Sequence, residues 1–257
     1  MRYAEVYLHR QLVPHGGLAG HTAVVFDVLR ASTTAAVALQ AGAEMLVPFA
    51  DLESMTAFRA GLSADLAGRC LLAGERGGLA APGFDLGNSP GEFTAERVAG
   101  RIVLFSTTNG TDALERSEEA DPVYFGALVN LSALAELMAG RTRRENEELA
   151  LVCSGTELSA SLEDMLAAGM LLERLGAREG GWEMDDGALA VLSVAAQWRG
   201  RETEAMRQAI GGRNVAALGL NQDIEAAAAV DSVPVVPRLV TDWGALAGTD
   251  VLVKAGG

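Results

Sequence analysis

An acid, a cation and three hydroxyl residues follow one apolar run of the sequence in close succession. In VVFDVLRASTT, residues 24–34, Asp27 ends the run, Arg30 comes three places later, and a Ser-Thr-Thr cluster follows. A carboxylate is a hard ligand for a divalent cation, while an arginine fork with hydroxyl or amide donors binds phosphate oxygens. Taken singly, each residue could be a helix cap or a surface charge. Together, they predict a site for a metal-bound phosphate group.

Three further stretches place polar residues directly after an apolar run or between glycines. GERGG, residues 74–78, contributes an acid and an arginine, while GFDLGNSP, residues 83–90, and STTNGT, residues 106–111, contribute amides and hydroxyls. Tight turns and helix caps are the structural alternative for all three. The residues that we predict to contact a ligand are Glu75, Arg76, Asn88, Ser89, Thr107, Thr108 and Asn109.

A fourth stretch, CSGTELSASLED at residues 153–164, ends in the adjacent acids Glu163 and Asp164. Ser161 and Asp164 have the spacing of a capping box, which is the structural alternative. Mg²⁺ prefers one or two carboxylates completed by waters and phosphate oxygens. We therefore predict Mg²⁺ as the cofactor, with candidate ligands Asp27, Glu75, Glu163 and Asp164.

Short apolar runs alternate with alanine-rich amphipathic segments, and these elements must position the polar stretches. The alternation predicts an α/β fold, a three-layer α/β/α arrangement with a mainly parallel sheet. In such a sheet, ligands bind at the carboxyl ends of the strands, where the four polar stretches fall. Strand–loop–helix segments recur at residues 24–41, 103–116 and 151–175. A single domain with two similar subdomains, at about residues 1–140 and 141–257, would account for this recurrence.

Two local predictions concern the elements themselves. Residues 52–66 are predicted to form one helix. VPVVPRLV, residues 233–240, is predicted to form an edge strand, because proline cannot donate a hydrogen bond to a neighbouring strand. Asp186, Arg213 and Asp223 are interpreted as helix caps or ion-pair partners.

Composition excludes several classes of function. A formal net charge of -14 opposes binding to nucleic acids and anionic membrane surfaces. The three histidines lie within the first 21 residues and the single lysine is Lys254, so neither a zinc-binding histidine pair nor a P-loop lysine is present. Two cysteines without CxxC spacing favour a reducing cytoplasm, and no exported or membrane-spanning segment is expected.

The spacing of Cys70 and Arg76 matches the C-x5-R pattern of cysteine phosphatases. Cys70 begins an apolar run, where burial would raise the pKa of its thiol, so we interpret it as an inert core residue. A phosphorylated Asp27 would be the covalent alternative. The haloacid dehalogenase pattern needs a second aspartate two places on, where this chain has Leu29, and this favours direct hydrolysis.

The segments VVFDVLRASTT, GERGG, GFDLGNSP, TTNGT and SLEDMLAAG occur in the order and approximate spacing of the 2-phosphosulfolactate phosphatase family. The chain resembles this family over nearly its whole length, including LGLNQDIEAAAAVD at residues 218–231. CSGTELSAS, residues 153–161, departs from the family pattern. The resemblance implies a homo-oligomeric enzyme of three-layer α/β architecture, most simply a dimer, that hydrolyses 2-phospho-3-sulfolactate to 3-sulfolactate with Mg²⁺, as in coenzyme M biosynthesis.

The site hypothesis joins the residues to this chemistry. Asp27 and Glu75, with Glu163 or Asp164, would hold the metal ion, and Asp27, Glu75 and Arg76 would be the catalytic residues. Arg30 and Arg76 would bind the phosphate and the second anionic group, because a planar fork pairs bidentately with oxyanions. Asn88, Ser89, Thr107, Thr108 and Asn109 would orient the substrate. Two alternatives stay open: a phosphatase for another phosphorylated 2-hydroxy acid, and an anion-binding protein without catalysis.

Overall fold

The computed structural model describes residues 2–141, 148–243 and 246–256. Eleven strands are described in these ranges: β1 (Arg2–Tyr7), β2 (Thr22–Phe26), β3 (Met45–Pro48), β4 (Cys70–Arg76), β5 (Leu79–Ala80), β6 (Ile102–Ser106), β7 (Val123–Gly126), β8 (Glu148–Cys153), β9 (Trp182–Met184), β10 (Pro237–Trp243) and β11 (Leu246–Lys254). The α-helices described are α1 (Ala31–Gln40), α2 (Leu52–Gly61), α3 (Ala64–Arg69), α4 (Ala95–Val98), α5 (Gly110–Glu115), α6 (Leu131–Arg141), α7 (Leu162–Arg174), α8 (Asp186–Trp198), α9 (Glu202–Gln208), α10 (Ile210–Ala217) and α11 (Asn221–Ala228).

All eleven strands form one mixed sheet, in the order β5-β4-β6-β3-β11-β10-β7-β2-β8-β1-β9. Most neighbouring pairs are parallel, whereas β5, β10 and β11 pair antiparallel with their neighbours. The predicted α/β class with a mainly parallel sheet is therefore confirmed. The division into two similar subdomains stays a prediction.

The sheet is covered by helices on both faces. Successive side chains of a strand point to opposite faces, and β2 shows both sides of the sheet clearly. Val24 and Phe26 pack in one apolar core with residues of α6, α7 and α8. Ala23 and Val25 pack in a second core with residues of α1 and α5. The predicted three-layer arrangement follows from these two cores.

The sheet is also strongly curved. In its order, β2 and β6 are separated by four strands, which would put them about 24 Å apart in a flat sheet, given the usual strand spacing. Gly110, at the start of α5 after β6, nevertheless lies against Asp27 after β2, and a Cβ at Gly110 would be 2.9 Å from Asp27 Oδ2. Helix α1, buried along most of its length, packs against β3, β7, β10 and β11. The sheet therefore bends around α1.

Two local predictions were wrong. The proline-containing segment at residues 233–240 is not an edge strand, because β10 lies inside the sheet between β11 and β7. Pro234 precedes the strand and Pro237 is its first residue, so both prolines avoid its central ladder. Residues 52–66 form no single helix, because the chain is extended at Leu62 and Ser63 caps a new helix through the amide of Leu66.

Within the described residues, no helix combines the length and the apolar composition needed to cross a bilayer. Cys70 lies buried at the start of β4, and its Sγ donates to the carbonyl oxygen of Leu66 at 3.2 Å. Burial raises the pKa of this thiol. The interpretation of Cys70 as an inert core residue is consistent with this position.

Candidate active site

The loop after β2 places Asp27 and Arg30 at the carboxyl end of a buried strand. Ser32 holds the loop in shape, because its hydroxyl donates to the carbonyl oxygen of Asp27 at 2.7 Å and accepts the Asp27 amide at 3.2 Å. Asp27 Oδ1 accepts the amide of Ala31 at 3.1 Å, at the beginning of α1. Asp27 Oδ2 has no hydrogen-bond donor among the described residues. One carboxylate oxygen of Asp27 is thus left for a ligand.

Glu75 lies at the end of β4 and connects two loops. Its Oε1 accepts the amide of Thr108 at 2.8 Å and the Thr108 hydroxyl at 2.7 Å. Its Oε2 accepts the amide of Gly78 at 2.8 Å. Gly78 has a φ of +83°, and a Cβ there would come within 2.5 Å of Leu218, so this tight turn requires glycine. Glu75 therefore has a fixed orientation before any ligand binds.

Arg30 is buried and donates to three acceptors. Its Nη1 donates to Asp223 Oδ2 at 2.7 Å and to Ser89 Oγ at 3.2 Å, and its Nη2 donates to the carbonyl oxygen of Gly78 at 2.5 Å. Asp223 also accepts the Ser89 hydroxyl at 2.7 Å. The interpretation of Asp223 as an ion-pair partner is confirmed.

These loops enclose a cavity of about 460 Å³, within the range of roughly 300–1,000 Å³ that is usual for ligand pockets. One wall comes from the predicted site and consists of Asp27, Arg30, Glu75, Asn88, Thr107, Thr108 and Asn109. A second part of the lining consists of residues after β8 and on or next to α10: Thr156, Glu157, Gly211, Asn214, Val215, Ala217 and Leu218. Seven residues predicted from four separate segments thus reach one cavity.

The first wall contains oxygen atoms with unused hydrogen-bonding capacity. Within the described part of the chain, Asn88 Oδ1, Thr107 Oγ1 and Asn109 Oδ1 are buried and have no hydrogen-bond partner. Buried polar atoms are paired in most proteins, so such a group indicates a place where a ligand, ion or water binds. All three residues line the cavity beside Asp27 and Glu75.

Burial raises the pKa of Asp27 to about 6. The amide of Ala31 lowers it, the charge of Glu75 raises it further, and the guanidinium groups of Arg10 and Arg30 lower it. Ionised Asp27 is therefore disfavoured by its surroundings, and a bound cation would remove that penalty.

Glu163 and Asp164 are buried next to the cavity but do not line it. Asp164 accepts the amide of Val28 at 2.9 Å and that of Gly155 at 3.0 Å, so it ties the loop after β2 to the loop after β8. The predicted capping box is wrong, because the Ser161 hydroxyl bonds with Thr156 at 2.7 Å and caps no backbone amide of α7. Burial raises the pKa of Glu163 to about 7, and the pKa of Asp164 is raised well above its usual range, first by burial and then by Glu163.

Arg76 is exposed and does not line the cavity. Its Nη1 donates to the carbonyl oxygen of Glu75 at 2.6 Å and its Nη2 to Ser106 Oγ at 3.2 Å. Ser89 also lies outside the lining, behind Arg30. The structure thus separates these two predicted residues from the other seven of the first wall.

Sequence reasoning missed Arg10, whose charge lowers the pKa of Asp27. Arg10 is buried, donates to the carbonyl oxygen of Ser154 at 2.6 Å and forms an ion pair with Asp112 at 2.5 Å. It follows β1, so its position after a strand was a signal in the sequence. Helix α10 was not predicted from the sequence, so the residues that it adds to the cavity lining were not recognised.

A metal site of three or more His, Cys, Asp or Glu side chains does not occur in the described ranges. The cavity instead offers two carboxylates, those of Asp27 and Glu75, together with neighbouring amide and hydroxyl oxygens. This set suits a hard cation that completes its coordination with water and ligand oxygens.

Strand ends of an α/β sheet that carry a fixed arginine beside acids and amide oxygens able to hold a cation are typical of the class of proteins that bind small anionic ligands, phosphate esters among them. The family model described as 2-phosphosulpholactate phosphatase matches residues 7–242. The chain therefore belongs to the 2-phosphosulpholactate phosphatase family, and this membership makes it a phosphoric monoester hydrolase.

Curated relatives agree with the family match. A probable 2-phosphosulfolactate phosphatase of Synechococcus sp. (strain JA-3-3Ab) is 42% identical over 89% of this chain and 92% of the relative. One of Deinococcus radiodurans is 42% identical over 85% of this chain and 87% of the relative. One of Symbiobacterium thermophilum is 37% identical over 87% and 93%.

Proposed function

We propose that the protein hydrolyses 2-phospho-3-sulfolactate to 3-sulfolactate and phosphate, with Mg²⁺ bound at the wall formed by Asp27 and Glu75. The observation that supports this most directly is the cavity itself. It brings two carboxylates, a fixed guanidinium and unpaired amide and hydroxyl oxygens together inside the segment that matches the family.

The residues present fit a Mg²⁺ ion. Asp27 offers an oxygen without a donor, Glu75 lies on the same wall, and the buried oxygens of Asn88, Thr107 and Asn109 lack partners among the described residues. Hard oxygen donors of this kind suit Mg²⁺, which keeps several waters and also takes phosphate oxygens. Bound there, Mg²⁺ would neutralise phosphate charge and lower the pKa of a bound water.

The protein's own groups have separable roles. Arg30 would donate to phosphate oxygens through the N–H groups that its three protein acceptors leave unused. The hydroxyl of Thr107 and the side-chain amides of Asn88 and Asn109 would donate to the remaining oxygens and orient the ester. Thr108 would act through Glu75, because its amide and hydroxyl hold that carboxylate in place.

Glu163 and Asp164 would support the metal site from behind. Both are buried next to Asp27, and the charge of Asp27 adds to burial in raising the pKa of both. Asp164 fixes the loop that holds Asp27 through the amide of Val28. The second anionic group of the substrate would extend towards the second part of the lining, which includes Asn214 and Thr156.

The activity is tested by phosphate release from 2-phosphosulfolactate, with and without Mg²⁺. We expect release that a chelator abolishes and Mg²⁺ restores, while a thiol-alkylating reagent has no effect. A higher kcat/KM for another phosphorylated 2-hydroxy acid would transfer the assignment to that substrate. Metal-dependent anion binding without release from any phosphate ester would identify an anion-binding protein instead.

Direct attack of water on phosphorus is the second part of the proposal. Hydrolysis of a phosphate ester made chiral at phosphorus inverts the configuration if water attacks directly. Retention of configuration would establish a covalent phosphoenzyme instead, with Asp27 as the candidate nucleophile.

We also propose, on the cysteine content and the family resemblance, that the enzyme is a cytoplasmic homodimer and that its product can enter coenzyme M biosynthesis. Light scattering of the purified chain tests the dimer, and a molar mass of one chain would overturn it.

A further inference from the structure

The substrate arginine of the cavity is held by an aspartate from a distant part of the chain. Arg30 lies after β2 and Asp223 lies in the first turn of α11, separated by 193 positions in the sequence. Their side chains are 4% and 1% exposed, and the atoms Nη1 and Oδ2 are 2.7 Å apart. Asp223 itself does not line the cavity, whereas Arg30 does.

The hydrogen bonds around Arg30 determine which of its N–H groups remain. A guanidinium has five N–H groups, of which Nη1 and Nη2 have two each and Nε has one. Asp223 and Ser89 are the acceptors for Nη1, and Gly78 is the acceptor for one N–H of Nη2. Among the described residues, no acceptor is present for Nε or for the second N–H of Nη2. Arg30 therefore retains Nε–H and one N–H of Nη2 as donors for an oxyanion ligand.

We propose that Asp223 is the positioning residue of the phosphate site: it holds the Nη1 end of Arg30 so that Nε and the remaining N–H of Nη2 stay available to phosphate oxygens. The inference rests on the proposed function in assuming a phosphate ligand in the cavity. It gives α11 a part in ligand binding, although no residue of α11 lines the cavity.

The negative charge of Asp223 favours a positioning role, because this charge cannot increase the attraction of the cavity for an anion. Among the cavity-lining residues of the first wall, Arg30 is the single cation beside the acids Asp27 and Glu75. Asp223 neutralises that cation, so its presence lowers the attraction of the cavity for anions. A carboxylate at this place is therefore useful for the orientation of the fork, since its charge alone would oppose phosphate binding.

The Arg30–Asp223 pair also belongs to a chain of hydrogen bonds along the cavity wall. Gly78 accepts from Arg30 through its carbonyl oxygen and donates to Glu75 through its amide. Ser89 donates to Asp223 and accepts from Arg30. Displacement of Arg30 would thus disturb the turn that fixes Glu75.

A double-mutant cycle tests the proposal with inorganic phosphate as the probe. Binding is measured by calorimetry in Mg²⁺ buffer for the wild type, Asp223→Asn, Arg30→Lys and the double variant. Asn keeps the size of the side chain and one acceptor oxygen for Arg30, while it removes the charge that neutralises the guanidinium. We expect each single variant to bind phosphate ~10–100-fold more weakly, as for other partners that orient a ligand-binding group. The double variant should be no weaker than Arg30→Lys.

Asp231→Asn is the matched control. Asp231 comes after α11 and likewise forms an ion pair, with Arg174 at 2.9 Å, but it does not line the cavity or contact Arg30. It should lower the melting temperature without changing phosphate affinity. Melting temperatures of all variants separate lost positioning from lost folding.

Three results would overturn the inference: unchanged phosphate affinity in Asp223→Asn, effects of Asp223→Asn and Arg30→Lys that add in the double variant, or no phosphate binding by the wild type. The proposed function fails separately. If the cycle behaves as expected but 2-phosphosulfolactate is not hydrolysed, then the positioning role stands and the catalytic assignment falls.

Discussion

Two buried aspartates near the same strand ends have opposite surroundings. Asp164 accepts two backbone amides, from Val28 and Gly155, one with each oxygen, and lies behind the cavity. Asp27 accepts one backbone amide through Oδ1, has no donor for Oδ2 among the described residues, and lines the cavity. Burial raises the pKa of both carboxyl groups.

Burial alone therefore does not assign a role to an acid. A buried carboxylate with all its oxygens hydrogen-bonded stabilises the loops that it connects. A buried carboxylate with an unused oxygen beside a second acid destabilises the empty site and is available to a ligand. Asp164 is of the first kind and Asp27 is of the second.

The largest expected effect is on catalysis by Asp27→Asn. Asn keeps the acceptor for the Ala31 amide but removes the anionic oxygen, so we expect kcat to fall on the order of 10³-fold, the scale for loss of a preorganised electrostatic group. Steady-state phosphate release with saturating Mg²⁺ measures this. Unimpaired turnover by a folded variant would show that the unused oxygen of Asp27 has no catalytic role.

Stability should depend on pH in the direction set by the raised pKa values. The pKa of Asp27 rises from 3.8 to about 6 and that of Glu163 from 4.5 to about 7 on folding. From about pH 4 to about pH 7, the folded state therefore holds protons that the unfolded state has released, so the free energy of unfolding falls as pH rises through this window. For Asp27, the loss is up to ~3 kcal/mol.

Urea unfolding at pH 5 and pH 8 in the presence of a chelator measures this dependence. Asp27→Asn should have a smaller pH dependence and be more stable than the wild type at pH 8, because it introduces no buried charge. A wild-type stability that increases between pH 5 and pH 8 would contradict the assignment.

Asp164→Asn should act mainly on stability. The side-chain NH₂ group of Asn cannot accept a hydrogen bond, so one of the two backbone N–H groups that Asp164 accepts would lose its partner. We therefore expect the free energy of unfolding to fall by ~1–3 kcal/mol. Activity per folded molecule should change far less than in Asp27→Asn. Asp85→Asn is the control, since exposed Asp85 accepts a single backbone amide, that of Leu72 at 2.8 Å, and should cost less. Equal losses of stability in the two variants would remove the contrast.

The smallest expected effect is that of Arg76→Ala. Arg76 is exposed and donates to Ser106 and to the backbone of Glu75, so its loss should change KM and kcat far less than Arg30→Ala does. Kinetics of the two variants side by side measure the difference. A large rise in KM for Arg76→Ala would instead support the role predicted from the sequence, in which Arg76 binds the second anion of the substrate.

The strand-end segments could be recognised from the sequence because their signals are local. An apolar run that ends in an acid, as at Asp27, or in Glu75 between glycines, needs only neighbouring residues to be interpreted. The interior position of β10 could not be recognised in this way, because its neighbours are β7 and β11, whose pairing depends on contacts far apart in the sequence. The role of Arg76 was also beyond local reasoning, since the direction of a long side chain depends on what surrounds it.

The alternation of strands and helices and the polar character of the strand ends follow from local sequence patterns alone. The curvature of the sheet depends on the tertiary structure. It brings Gly110, which follows β6, against Asp27 across four intervening strands. The pairing of Arg30 with Asp223 across 193 positions also depends on the tertiary structure. Local patterns report which face of an element is buried, whereas curvature and long-range pairing follow from how all the elements pack around α1.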